Sequence, residues 1–225
     1  MNDVVVTRLS ITSRSGAITV HAADVSEVEV HGASVRTEAD GSTTVSGQRS
    51  TAISVTCPAG SAITVGTSSG MVELKGRFAA VHAVTGSGSV AVDHASSVDV
   101  RTESGQVHVG DSTGVCRVVT RAGNVRVGRA GHLCVSLRSG RIAAGDVGSA
   151  EVRTVSGNVV LSALGHGEVD VRSVSGSVDV SVPDGVLPAP ELSSMTGRVQ
   201  CDCPTGTDGA VRIQTVSGSI RLSTR

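Results

Sequence analysis

The amino-acid sequence predicts an all-β protein, a right-handed single-stranded parallel β-helix (β-solenoid) with about 18 residues in each coil. Three observations predict this fold. A Ser-Gly dipeptide recurs along the chain, aliphatic residues hold fixed positions around it, and aromatic residues are almost missing, since Phe78 is the only one among 225 residues. A core built without aromatic side chains has to be thin, because only small side chains are available to fill it.

The recurring glycine marks one corner in each coil. Glycine suits a corner that needs a positive φ, and the serine before it can hydrogen-bond to the nearby backbone. Ser is replaced in two of the repeats, by Ala122 and Thr196. The corner glycines are Gly16, Gly70, Gly88, Gly105, Gly123, Gly140, Gly157, Gly176, Gly197 and Gly218.

Aliphatic residues occupy four positions around each corner: seven and five residues before the glycine, and two and four residues after it. All forty of these positions are apolar in a chain that is 39% apolar, and around Gly176 they are Val169, Val171, Val178 and Val180. The positions between them are mostly polar. This period of two predicts one strand before the corner and one after it, each with a single buried face.

Parallel stacking follows from the repetition of one residue type at one offset in every coil. Coils about 4.8 Å apart would then bury continuous columns of equivalent side chains. The rest of each coil forms a return segment, in which Phe78 and Val147 suggest one inward residue. An antiparallel sandwich is the alternative, because short, evenly spaced strands fit either architecture. Threonines beside the corners also have inward parity: Thr85, Thr102, Thr120, Thr154 and Thr215.

The chain is predicted to form one continuous domain with two parts. Residues 63–225 are the regular coils, and residues 1–62 are irregular β coils or a cap of the same solenoid. Between residues 17 and 62 no corner falls in register, since Gly41 and Gly47 are displaced from it. Terminal repeats of a solenoid are commonly atypical, which favours a cap.

The repeats resemble those of a bacterial putative-adhesin family of β-solenoid domains of unknown function, some of whose members are associated with envelope stress in Gram-positive bacteria. The segments that carry this resemblance are 84–90 (VTGSGSV), 154–159 (TVSGNV), 215–220 (TVSGSI) and, before the first regular coil, 55–61 (VTCPAGS). The resemblance implies a β-helix fold. It implies no established activity and no catalytic residues.

The composition limits the classes of partner and the cellular compartment expected for the chain. The net charge is −1 and no run of like charges occurs, so no basic footprint for nucleic acid is present. The start of the chain, Met1–Val4, lacks the features of a signal peptide, and no apolar stretch reaches membrane-spanning length. A cytoplasmic protein without direct membrane insertion is therefore expected. Five cysteines, an odd number, favour reduced thiols over a disulfide framework.

No catalytic, cofactor-binding or metal-binding constellation is predicted. His82 and His108 lie on different strands of different coils, and Cys201-Asp202-Cys203 lacks the second half of a metal site. Cys116 and Cys201 have inward parity, whereas Cys134 points outward. We therefore expect no cofactor.

The candidate interaction face consists of acid–arginine pairs spaced two residues apart on outward positions. A solvated ladder of ion pairs is the alternative interpretation, in which each exposed pair contributes ~0–1 kcal/mol. The pairs are Asp99 with Arg101, Glu151 with Arg153, and Asp170 with Arg172.

Three functions are compatible with these features. The favoured one is a non-enzymatic structural or interaction domain that presents a rigid face to an unidentified protein partner. The second is a homo-oligomer that stacks end to end through an open C-terminal coil, with Ile220, Arg221 and Leu222 at the assembly edge. The third is a polysaccharide-active β-helix enzyme, which would need acids and bases clustered on one outward face.

Overall fold

Strands make up all the regular secondary structure in the described part of the chain. The computed structural model describes residues 7–38, 42–47, 51–163 and 167–225, so Met1–Val4 and Gly41 lie outside the described residues. The strands are β1 (Arg8–Ser15), β2 (Ile18–Ala23), β3 (Glu29–His31), β4 (Ala33–Thr37), β5 (Thr43–Gly47), β6 (Ile53–Pro58), β7 (Ala62–Ser69), β8 (Val72–Ser87), β9 (Val90–Ala163), β10 (Val169–Ser175), β11 (Val178–Val182), β12 (Ala189–Thr196), β13 (Val199–Asp202), β14 (Ala210–Ser217) and β15 (Ile220–Thr224). The all-β prediction is confirmed.

The long strand β9 contains several successive coils. Its 74 residues would extend about 240 Å if they were straight, at ~3.3 Å per residue. Instead the backbone turns at corner glycines such as Gly123 and Gly140, whose φ angles are 136° and 139°. A side chain on Gly140 would also collide with the carbonyl oxygen of Gly123 in the neighbouring coil. Glycine is therefore required at these corners both by conformation and by stacking.

The chain divides into two compact units, Met1–Thr113 and Gly114–Arg225. In the first unit, β8 pairs in parallel with β7, β7 with β1, and β1 with β5. On the other side of the corner, β2 lies between β8 and β6. The coil formed by β1 and β2 is therefore inserted between the coils formed by β5–β6 and β7–β8, although it comes first in the sequence.

The β5–β6 coil is covered by two strands that run the opposite way. β3 pairs antiparallel with β6, and β4 pairs antiparallel with β5. The described strands between residues 17 and 62 are thus β2, one parallel coil (β5 and β6) and an antiparallel layer (β3 and β4).

The second unit has the same kind of insertion among its last three coils. β10 pairs in parallel with β9 and β14, and β14 pairs with β12. Across the corner, β15 lies between β11 and β13. The order of the last three coils in space is therefore β10–β11, β14–β15 and β12–β13, so the C-terminal coil is internal and the preceding coil is terminal.

The predicted assembly edge is wrong for this reason. Ile220, Arg221 and Leu222 have a parallel neighbour on each side, and the two aliphatic side chains are buried. The C-terminal residue is fixed as well, because Arg225 donates to Asp146 at 2.7 Å and its backbone N–H donates to Val182. In the second unit, the strands with only one described neighbour are β12 and β13, which form the terminal coil.

The core is the predicted set of aliphatic columns. Of the forty predicted positions, all are buried except four, and these four share the terminal coil: Pro190, Leu192, Val199 and Cys201. They have inward parity, but none of the described strands covers their outer side. Phe78, Val147 and the five corner threonines are buried, as their parity predicts.

Candidate interaction surface

The predicted acid–arginine pairs exist as ion pairs within single strands. The Arg153 Nη2 to Glu151 Oε1 distance is 2.6 Å, and the Arg172 Nη2 to Asp170 Oδ2 distance is 2.9 Å. In the first unit, the corresponding Arg101 to Asp99 distance is 3.3 Å. Asp99 also lies 3.3 Å from the His82 ring.

The register places like charges side by side in the second unit. Asp170 lies beside Glu151, and Arg172 lies beside Arg153. Directly opposed like charges repel, so each carboxylate is compensated mainly by the arginine two residues further along its own strand. These pairs neutralise one another, which leaves little charge for a partner.

The charge pattern changes at the inserted coil. Arg212 lies between Asp170 and Glu191 in the register, and its Nε donates to Glu191 Oε2 at 2.7 Å. This hydrogen bond, together with the charge of the guanidinium, lowers the pKa of Glu191 below its ordinary value. If the coils were stacked in sequence order, Asp170 and Glu191 would be neighbours. The insertion therefore replaces a repulsion with an attraction.

Unpaired arginines lie on the same outer face, closer to the start of the unit. Arg117, Arg121 and Arg138 are exposed and form no ion pair within the described residues. The stacked corners place them, and the paired Arg153, in the coil of the exposed Ser136 and its two neighbouring coils. An open depression of about 280 Å³ lies here, lined by Arg117, Val119, Cys134, Val135, Ser136, Glu151 and Arg153. We call Arg117, Arg121, Arg138 and Arg153 the arginine cluster.

The outward position two residues before each corner glycine forms a straight column along the second unit. From the arginine cluster toward the terminal coil, this column reads Arg121, Arg138, Val155, Val174, Val216 and Met195, following the stacked corners and the strand register. The exposed fractions of Val155, Val174 and Val216 are 49%, 49% and 46%, and that of Met195 is 78%. We call these four residues the apolar column. Such a row of adjacent exposed apolar residues is typical of an interaction site.

The cysteines fall into three environments. Burial raises the pKa of Cys116 to about 12, with a smaller contribution from the nearby Cys134. At the floor of the depression, partial burial and the carboxylate of Glu151 raise the pKa of Cys134, and Arg117 opposes this shift. Cys201 and Cys203 lie at the end of β13 with their sulfur atoms 3.5 Å apart.

Two features are absent from the described residues. No group of three or more His, Cys, Asp or Glu side chains there is arranged to hold a metal ion. The described part of the chain also has no helix of the length and apolarity needed to cross a membrane.

Sequence comparison assigns the family. The profile of Toastrack DUF4097, a family of unknown function, matches residues 36–225. The chain belongs to the Toastrack DUF4097 family. The β-solenoid prediction and the resemblance to a family of unknown function are thereby confirmed.

Other comparisons add little to this Toastrack assignment. A putative cell adhesion protein from Clostridium sporogenes has a solved structure that is 10% identical in sequence, with 98% of this chain and 93% of that chain covered. Its TM-score of 0.24 is too low to support any conclusion about this chain. No curated protein matches the sequence.

The Toastrack profile omits a part of the chain that the fold requires. It begins at residue 36, yet β1 and β2 lie between two coils of the matched region.

The apolar column was missed by the sequence analysis, although its signal was present: the position two before the glycine is apolar in each of the four coils that close the second unit. The acid–arginine pairs carry the more conspicuous sequence signal because they are charged.

Proposed function

We propose that this Toastrack chain is a non-enzymatic interaction domain, and that the outer face of its second unit binds an amphipathic, acidic helix of a partner protein. The observation that carries the proposal is the column that passes from Arg121 and Arg138 into four exposed apolar residues. The predicted pairs Glu151–Arg153 and Asp170–Arg172 flank this column. They set its polar border, and the column makes the contact.

The spacing of the column suits an α-helix that lies along it. Neighbouring coils are about 4.8 Å apart, and successive turns of a helix are about 5.4 Å apart. Across the four apolar rungs the two repeats differ by only about 2 Å in total. A helix with apolar residues at i, i+4, i+7 and i+11 can therefore place one residue on each rung.

The positive charge of the arginine cluster sets the direction in which the partner helix lies along the apolar column. The arginine cluster follows the apolar column at one end, so the partner needs acidic residues on the same stripe beyond its apolar residues. The C-terminal end of a helix carries a partial negative charge, which favours that end over the arginines. Electrostatic complementarity of this kind contributes mainly to orientation and association rate.

A designed peptide pair tests this function. One helical peptide carries leucines at the four spaced positions and two glutamates on the next turns, and the other has the same composition in scrambled order. Fluorescence anisotropy should show binding of the first peptide only, weakened at least tenfold by the double substitution V174T/V216T. The variant R121E/R138E should lose this peptide and gain one in which lysines replace the glutamates.

The control variant is R221E, which reverses a charge on the strand after the corner and should leave binding unchanged. Equal binding of both peptides, or no change in the valine variant, would rule out the proposed surface. Peptide binding that survives in R121E/R138E would remove the electrostatic part of the proposal.

Self-assembly is a second candidate, and one observation favours it. The terminal coil exposes Val199 to 43% and also exposes Cys201, both with inward parity, and β13 has one described neighbour only. Open strand edges of this kind pair with other strands. In this proposal a second copy binds at β12–β13, so light scattering should show a mass that rises with concentration. A constant monomer mass at high concentration would eliminate it.

We also propose a cytoplasmic location for the chain. The five cysteines are free thiols, and Cys201 is exposed, which suits a reducing compartment. Fractionation of the native host with an antibody against this chain tests the location, and recovery in the culture medium would contradict it.

A further inference from the structure

Two thiols occupy the exposed end of the terminal coil. Residues two apart in a strand point to the same side, so Cys201 and Cys203 face the same way where β13 ends. Their sulfur atoms are 3.5 Å apart, Cys201 is exposed and Cys203 is partly exposed. Of the other thiols, Cys57 and Cys116 are buried, and Cys134 is only partly exposed.

We propose that Cys201 and Cys203 form a reversible intramolecular disulfide by exchange with a low-molecular-weight disulfide such as oxidised glutathione. This modification site is independent of the proposed binding of a helix. It would make the terminal coil the redox-sensitive part of the second unit.

The exchange runs in two steps. The Cys201 thiolate attacks one sulfur of oxidised glutathione, which breaks its S–S bond, forms a mixed disulfide and releases one glutathione thiolate. Cys203 then loses its proton and attacks the Cys201 sulfur, which closes the protein disulfide and releases the second glutathione. The two protons of the protein thiols end on two reduced glutathione molecules, so the protein loses two electrons and glutathione disulfide gains them.

The two thiols have different roles in this scheme. Cys201 is the more exposed and is therefore accessible to the incoming disulfide. Partial burial and the hydrogen bond with Cys201 raise the pKa of Cys203 to about 11, which disfavours Cys203 as the first nucleophile because the thiolate is the attacking form. Its position beside Cys201 then makes it the resolving thiol.

The local structure permits the disulfide between Cys201 and Cys203 to form. A disulfide requires about 2.0 Å between the sulfur atoms, so they have to approach by about 1.5 Å from their 3.5 Å separation. The backbone bends at Cys203, directly after β13. Because β13 pairs with β15 alone among the described strands, the adjustment affects one ladder.

Intact-mass spectrometry of the full chain, incubated with oxidised glutathione, tests the proposal. The native protein should lose two hydrogens, with the bridge mapped between residues 201 and 203, and dithiothreitol should restore its mass. C203S should instead accumulate a glutathione adduct on Cys201, because the resolving thiol is missing. C134S should behave like the native protein, and circular dichroism should confirm that both variants are folded.

Two results would overturn the proposal. One is a stable glutathione adduct on Cys201 in the native protein, which would mean that Cys203 does not resolve it. The other is a bridge between two copies of the chain, which would place the reactive partner outside the molecule.

Discussion

Leu222 lies in register beside Val180, although Cys201 holds the equivalent position in the coil between them in sequence. The C-terminal coil is thus inserted between two coils that precede it. A matched pair of substitutions tests this order of the coils. Leu222→Ala should destabilise the protein by about 2–5 kcal/mol, because it empties a fully buried site. Cys201→Ala should cost less than about 1 kcal/mol, because that site is exposed.

Urea-induced unfolding followed by circular dichroism measures both changes. Equal losses for the two variants would contradict the inserted order. A larger loss for Cys201 than for Leu222 would contradict it more strongly.

The corner glycines should be intolerant of a methyl group. Gly140→Ala places a Cβ against the carbonyl of Gly123 and also imposes a positive φ on alanine. Gly185→Ala imposes a positive φ alone, since no atom lies near its Cβ position, and should cost about 1–2 kcal/mol. Gly140→Ala should cost clearly more in thermal unfolding. Comparable shifts in melting temperature would show that stacking of the corners adds no constraint.

Alkaline pH should destabilise the protein through its buried thiols. An unfolded cysteine loses its proton near pH 9, whereas folded Cys116 retains its proton up to a pKa of about 12. The stabilisation is therefore fully present below about pH 9 and declines as the pH rises toward 12. Apart from the other four cysteines, few groups titrate in this window, because the chain has no tyrosine and only one lysine, Lys75.

Cys116→Val removes this titration. Between about pH 8 and about pH 10.5, the free energy of unfolding of the native protein should fall by about 2 kcal/mol more than that of the variant. Urea unfolding at both pH values measures the difference. Identical pH dependence in the two proteins would show that Cys116 is not the group responsible.

The N-terminal coil should be indispensable even though the family profile starts after it. A chain limited to residues 36–225 lacks β1, β2, β3 and most of β4. Without β1, Val45 and Val65 both lose the buried Ile11 that lies between them. We expect this shortened chain to lose cooperative unfolding of the first unit, and a synthetic peptide of residues 7–24 to restore it. Val35→Ala, at a half-exposed position of the cap strand, is the control and should have little effect. A cooperative transition at the native midpoint in the shortened chain would refute this role.

The columns of the core were predictable, but the order of the coils was not. The positions of Val180 and Leu222 follow from a period of two and a fixed distance from the corner glycine, which are local properties of the chain. Every coil presents aliphatic residues at these same offsets, so Leu222 fits equally well against Val180 or Cys201 as far as the pattern is concerned. Sequence order was the natural assumption, and it placed Ile220 and Leu222 at an edge they do not occupy.

The candidate surface was predictable only in part. The ion pairs of Glu151 and Asp170 were visible because their charges alternate along one strand face. The apolar column required comparison of one offset across four coils, and its last two members, Val216 and Met195, exchange places in space because of the insertion. The alternation of Asp170, Arg212 and Glu191 was a signal of that order, since it removes a contact between two carboxylates.

The most direct test of the inserted coil is a methyl–methyl NOE experiment on protein labelled at the isoleucine, leucine and valine methyl groups. Adjacent rungs are about 4.8 Å apart, and rungs separated by a coil are about twice as far. The account predicts NOEs from Leu222 to Val180 and from Ile220 to both Val178 and Val199. NOEs from Val199 to Val178, with none from Ile220 to Val178, would show that the coils stack in sequence order and would contradict it.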